Sequence, residues 1–286
     1  MFVQAENFSE NALARFRDLQ RLSFSILEER AAKLHEGETE KEVARDLVKQ
    51  YRAAGFTSFF HLPVVLFGSR TALPGDWKIG NFYPKKKKLG EGDSVIMDAA
   101  PISSGFLVDT SYSFCLGENV AHREMMGALS EFRDSICKAV NAGKSFKAIA
   151  EDVEARFGEL GYEPAHGKHP GAVLGHRTVK LPATPFNWRI NGFDGLALSW
   201  FLAKDGFAKG SIGRRSPLWN SSPASNHAPH KGLWLVEPHA GAGEIGAKWE
   251  EILIIDKEGA RWLDSEPPHV RQWRNIKSGK SYLPLQ

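Results

Sequence analysis

Four carboxylates set inside or at the ends of apolar, strand-like runs constrain this chain more than any other feature. Asp98 follows Val95-Ile96-Met97 and Asp109 follows Phe106-Leu107-Val108. Glu237 follows Leu233-Trp234-Leu235-Val236, and Glu250 precedes Ile252-Leu253-Ile254-Ile255. An isolated buried carboxylate is costly, so each must be paired, protonated or bound to a cation. The same strands carry too few basic residues to match them, which favours a metal. Carboxylates alone suit magnesium or calcium; an added imidazole shifts the preference towards manganese, iron, cobalt or zinc. Ten histidines are available. His166, His169 and His176 cluster just after a helical segment, and spacing by itself does not choose among them.

The rest of the chain alternates helix and strand signals. Residues 8–34 place Leu13, Phe16, Leu19, Leu22, Ile26 and Leu27 at helical spacing. Thr39 and Glu42 form a capping-box pair, followed by Val43, Leu47, Val48 and Tyr51 until Gly55 stops the helix. Residues 56–67 read as a strand, and 94–98 and 106–116 as two strands joined by the turn Ser103-Ser104-Gly105. Helices are expected at 120–141 and 145–160, and strands at 233–237 and 249–256. Helical stretches that each feed strands indicate an α+β fold. Residues 182–231 are rich in Pro, Gly, Ser and Asn, with Trp188, Trp200 and Trp219 among them. They read as a long irregular insertion, either packed on the domain or shaped into a lid. The segment from Pro267 onward reads as a polar surface tail.

Composition sets outer bounds. With 286 residues, 42% hydrophobic and 25% charged, the chain can bury a sizeable core. A net charge of +3 is too small to imply a nucleic-acid partner, and the run Lys85 to Lys88 reads as a solvated loop. Cys115 and Cys137 are the only cysteines, so no disulfide framework is indicated. No stretch approaches the roughly 20 apolar residues that span a bilayer. The opening residues lack the apolar run of a signal peptide, so a cytoplasmic location is expected.

Taken in order, these segments resemble the M24 metallopeptidases, the family of methionine aminopeptidase, aminopeptidase P, prolidase and creatinase. GDSVIMDAAPISSGFLVDTSYSF resembles the family's two aspartates flanking a hairpin. LGHRTVK resembles its Gly-His segment, VEPHAG its Glu-Pro segment, KWEEILIID its closing Glu strand, and FGSRTALPGD the segment before the first aspartate. The resemblance implies a pita-bread fold, a curved and mostly antiparallel sheet covered by helices, as one catalytic domain over 1–286. It implies two divalent ions (manganese, iron, cobalt or zinc) held by Asp98, Asp109, His176, Glu237 and Glu250, with Asp109 and Glu250 bridging. Glu250 is preferred to Glu251, which would point to the opposite face of its strand. A homodimer is also implied.

Three positions depart from the family pattern. Gly75 and Ala183 stand where the family carries histidines, and Tyr112 stands where it carries an arginine after the second aspartate. His239, two residues beyond Glu237, and His230 and His227 upstream are the candidates to take over proton handling. His61 and His169 read as structural or solvent-exposed. Arg177, beside His176, is the candidate to bind a substrate carboxylate, with Tyr112 as a second substrate contact. The leading functional expectation is a dinuclear hydrolase of a short peptide or small amide, like aminopeptidase P or prolidase. Other chemistry at the same metals (creatinase-like hydrolysis, a lyase reaction, oxygen chemistry at iron) and a non-catalytic binding module are the alternatives.

Overall fold

The computed structural model describes residues 3–182, 188–210 and 215–284. Helix α1 (Glu10–Ala31) starts at Ser9, whose hydroxyl accepts from the Ala12 amide. Helix α2 (Glu40–Ala53) opens with the complete Thr39/Glu42 capping box, which satisfies two amides that the first turn leaves unpaired. Both helices bury their apolar stripes in a first core, with Phe16, Leu27, Leu47 and Tyr51 packed against Val65, Val95 and Met97.

The expected strand over 56–67 is broken in two. The chain forms β1 (Ser58–Phe59) and β2 (Val64–Phe67), separated by Phe60-His61-Leu62-Pro63. Pro63 has no amide to give to a ladder, so β2 begins only after it. Strand β2 then pairs antiparallel with β3 (Ser94–Ala99). After β4 (Pro101–Ser103) the chain reverses as expected through Ser104 and Gly105, both at positive φ, into β5 (Phe106–Leu107). The run expected over 106–116 is also interrupted. Val108 and Asp109 fall between β5 and β6 (Thr110–Cys115), and β6 returns to pair with β3.

Helices α3 (Val120–Asn141) and α4 (Phe146–Glu159) follow within a few residues of their expected bounds. They cover a five-stranded antiparallel sheet containing, in spatial order, Leu218–Trp219, β7 (Gly175–Thr178), β8 (Gly232–Val236), β11 (Glu251–Asp256) and β12 (Gly259–Trp262). Between β8 and β11 lies the hairpin β9 (His239–Ala242) and β10 (Ile245–Lys248). A second core forms here around Phe132, Phe146, Phe157, Trp219, Trp234 and Trp249.

Two expectations for the second half are corrected. The segment 182–231 is not simply irregular, because it contains α5 (Gly195–Gly210). This apolar helix seats Ala197 and Phe201 in the interior. Nor is the tail from Pro267 only a surface polar segment. It forms α6 (Pro268–Lys277), whose His269, Gln272 and Trp273 are buried, because their spacing puts one face of the helix against Trp249. Among the described residues no helix is long and apolar enough to cross a membrane.

Burial of two histidines gives the fold a calculable acid sensitivity. His122 on α3 lies against Tyr282, ring nitrogen to hydroxyl at 3.0 Å, and burial holds its pKa down at about 3. His166 is fully buried and is likewise held at about 3, first by burial and then by the nearby charge of His169. In the unfolded chain these imidazoles protonate near 6.5, whereas in the fold they stay neutral to about 3. The unfolded state therefore binds more protons between those values, and stability falls as pH drops through that window. We expect a loss of about 1.4 kcal/mol per pH unit for each histidine below pH 6. Urea unfolding at pH 7 and pH 5 measures it, and a His122→Gln variant with an equally steep acid limb would refute the assignment for that residue.

Candidate metal centre

The strand interruptions and register bring the five sequence-derived residues together. On β3, the alternation that sends Val95, Met97 and Ala99 into the first core turns Asp98 to the other side. Asp109 sits at the break before β6, and His176 lies in the middle of β7, opposite Leu235 of β8. Glu237 follows β8 directly, with its amide donating to the Leu174 carbonyl. Glu250, between β10 and β11, is bridged to Ser111 of β6, which joins the two sheets at the site. All five are buried, none more than 9% exposed. The choice between the paired glutamates follows strand alternation. Glu251 points the other way, accepting from Arg133 at 2.6 Å and from His269 at 2.8 Å.

Their donor atoms form two overlapping groups. Asp109, His176 and Glu250 make one, and His61, Asp98 and Asp109 make the other, each within 4.8 Å. Asp109 is common to both. His61, read from sequence as structural or solvent-exposed, instead faces the site with Nε2 at 3.3 Å from Asp109 and 3.6 Å from Asp98. Burial alone would raise Asp109, but His61 and His176 outweigh it and hold its carboxyl at about 2.

A second residue was missed. The Lys248 ammonium is buried among Asp98, Glu237 and Glu250, at 2.7, 2.9 and 3.1 Å. These three carboxylates outweigh its burial and hold it firmly charged. Basic residues are fewer than the carboxylates, as expected, but Lys248 itself was not singled out from sequence. The signal was present, since Lys248 and Glu250 are two apart on an extended segment and so share a face. Ser113 fixes this segment, its hydroxyl donating to the Lys248 carbonyl at 2.6 Å and accepting from the Lys248 amide at 2.9 Å.

One ammonium does not balance four carboxylates. Burial and then the charge of Asp109 push Glu250 well above the usual carboxylate range. Burial also raises Asp98, with Lys248 offsetting only part of the rise. Asp98 Oδ1 is buried with no hydrogen-bond partner among the described residues, and Glu250 Oε2 meets only the shared Lys248 ammonium, without hydrogen-bond geometry. Hard, anionic oxygen donors beside imidazole nitrogens, short of positive charge and with unused lone pairs, fit divalent cations.

The other expected residues lie elsewhere or act indirectly. His239 does not reach Glu237 directly, because Pro238 ends the strand between them and the same-face rule fails. Its Nε2 donates to the Thr71 carbonyl at 2.7 Å, and its Nδ1 lies 2.9 Å from Nε2 of His169. His169, the other histidine set aside from sequence, then contacts Glu237 through Nδ1 at 2.9 Å. His227 and His230 pack on Phe146 and each other, and His230 also on Trp234, in the second core. Arg177 adjoins His176 but projects to the opposite face of β7. There its guanidinium donates to the Ala5 and Lys231 carbonyls and lies over Trp234. Tyr112 faces the first core beside Phe114, while its neighbours Ser111 and Ser113 face the site. Gly75 lies in an exposed bend at φ +69°, and Ala183 is outside the described residues.

A cavity of about 1060 Å³ opens over the cluster, with Asp98, Asp109, His176 and Glu237 in its lining. Phe60, Phe193 and Phe201 form apolar wall, and Phe60 and Phe201 pack on the His176 ring at 5.8 and 5.6 Å.

Antiparallel sheets covered by helices, with a carboxylate–imidazole cluster where the sheets meet, make this a pita-bread fold. The X-Pro aminopeptidase from Thermotoga maritima aligns with 92% of the chain at TM-score 0.67 and 19% identity. A recombinant prolidase from Thermococcus sibiricus aligns with 91% at TM-score 0.66 and 14% identity. The Xaa-Pro dipeptidase from Bacillus anthracis aligns with 91% at TM-score 0.62 and 19% identity. The chain spans 63%, 60% and 62% of those three proteins. No curated protein sequence matches it. Residues 14–191 match metallopeptidase family M24, and the chain belongs to that family.

Proposed function

We propose that this protein is a dinuclear metal-dependent hydrolase of a small peptide or amide, in the manner of prolidase and aminopeptidase P. The observation that carries the reading is the pair of donor groups sharing Asp109, an arrangement suited to two ions joined by one bridging carboxylate. Asp98, Asp109, His176, Glu237 and Glu250 would hold the ions. Bound there, divalent ions supply an activated water and polarise a carbonyl.

The chain's own residues supply the rest. Phe60 and Phe201 shield the imidazole of His176, which keeps the donors in a medium of low polarity where charges act strongly. His169 anchors Glu237, and His239 anchors His169 against the fixed Thr71 carbonyl, so a row of three groups holds one carboxylate in place. The aromatic wall and the limited polar lining suit a short substrate with apolar side chains.

Lys248 favours a second reading in which its ammonium takes the place of one cation and the centre holds a single ion between Asp109, His176 and Glu250. Elemental analysis of the protein after loading with Mn(II) separates the two readings by stoichiometry, two ions per chain against one. Hydrolysis of Xaa-Pro dipeptides, compared with N-methylated and small amino-acid derivatives, then tests the substrate class. A protein that retains no divalent metal after reconstitution refutes both readings.

A further inference from the structure

We propose that His61 is a metal ligand, completing with Asp98 and Asp109 the half of the centre opposite His176. The proposal rests on the metal-bearing reading of the site and names a donor beyond the five in that reading.

Its first support is that His61 repeats the bonding of His176. His176 places Nδ1 3.2 Å from the carbonyl of Arg177, and His61 places Nδ1 3.1 Å from the carbonyl of Leu62, in each case the next residue along the chain. A carbonyl only accepts, so Nδ1 carries the proton and Nε2 is left to meet the carboxylates. This is the usual device that fixes the tautomer and direction of a metal-binding imidazole.

The second support is distance. His61 Nε2 lies 3.3 Å from Asp109 Oδ2 and 3.6 Å from Asp98 Oδ1, and His176 Nε2 lies 3.7 Å from the same Asp109 oxygen. These separations exceed a good N–H···O hydrogen bond. The two His61 separations fall in the spacing of donors around a common ion, roughly 2.9–3.6 Å for bonds of about 2.1 Å, and the His176 separation lies just beyond it. The third support is that Asp98 divides its oxygens. Oδ2 accepts from Lys248, while Oδ1, the atom facing His61, is buried and unpartnered.

The fold holds His61 for this task. Pro63, two residues on, keeps this stretch out of the β2 ladder, and the backbone of His61 bridges to Phe193. Phe60 and Phe193 flank the ring at 6.0 and 6.1 Å. A nitrogen donor on the Asp98 side gives both halves of the centre mixed nitrogen and oxygen ligands, which favours cobalt, iron, zinc or manganese over magnesium on that side too.

The test uses the full chain, stripped with a chelator and titrated with Co(II). His61→Ala removes a cation that holds Asp109 charged, so its metal-free unfolding midpoint is expected to fall, and binding is compared at a temperature where each variant is folded. For His61→Ala we expect Co(II) at the Asp98 side to bind at least about 100-fold more weakly, with binding at the His176 side unchanged. His61→Cys should restore Co(II) and add the near-ultraviolet thiolate-to-cobalt charge-transfer band, which appears only if residue 61 touches the ion. Wild-type Co(II) affinity in the alanine variant, or a cobalt-loaded cysteine variant without the band, overturns the proposal. Wild-type protein that binds no Co(II) refutes the metal-bearing reading itself.

Discussion

On the proposed dinuclear reading, replacing Asp109 with alanine will remove both metal ions and the activity together. His61 and Asp98 belong to one group and His176 and Glu250 to the other, whereas Asp109 belongs to both, and Glu237 stands beside them, paired with Lys248 and His169. It is 1% exposed, and His61 and His176 both point at its Oδ2. Without that carboxylate two imidazoles face each other across an uncharged gap, and neither group keeps three donors. If the ions contribute several kcal/mol to lowering the barrier, activity will fall about a thousandfold or more. Metal content by elemental analysis and turnover on the best substrate are measured on the same preparation. Two ions per chain in Asp109→Ala would show the assignment to be wrong. Glu250→Ala, which breaks only the His176 group, is expected to lose less metal.

The second large effect concerns Lys248. In metal-free protein its ammonium is the counter-charge for Asp98, Glu237 and Glu250. Removing one partner of a buried ionic cluster leaves charges uncompensated, so Lys248→Met will destabilise the metal-free protein by about 3–5 kcal/mol. Saturating divalent metal will recover most of that loss, because the ions supply the same charge and stabilise only the folded state. Thermal unfolding with and without Mn(II) measures both halves. A variant as stable as wild type without metal would show that protons on the carboxylates, rather than the lysine, carry the balance.

Much of the site was legible as linear pattern. The apolar runs beside Asp98, Asp109, Glu237 and Glu250 marked strands that carry charge inward, and strand alternation separated Glu250 from Glu251. Residues whose direction depends on a break were not legible in that way. The same-face rule that favoured His239 failed because Pro238 interrupts the strand. Applied to Lys248 and Glu250, the rule would have found the lysine. His227, His230, Arg177 and Tyr112 were chosen for proximity in sequence, and each packs against another part of the interior. The irregular reading of 182–231 missed α5, whose all-round apolar surface lacks the one-sided periodicity that marks a helix.

By itself the sequence determined the first four helices, the approximate strands and which carboxylates had to be buried, because these follow from local spacing and the cost of unpaired charge. Only the tertiary structure decided which cations meet those carboxylates. Lys248, His61 and His169 arrive from three different segments, and the contacts that select them depend on the junction of two sheets. Local periodicity carries no information about that junction. It is fixed by strand register, by the break at Pro63 and by the bridge between Ser111 and Glu250.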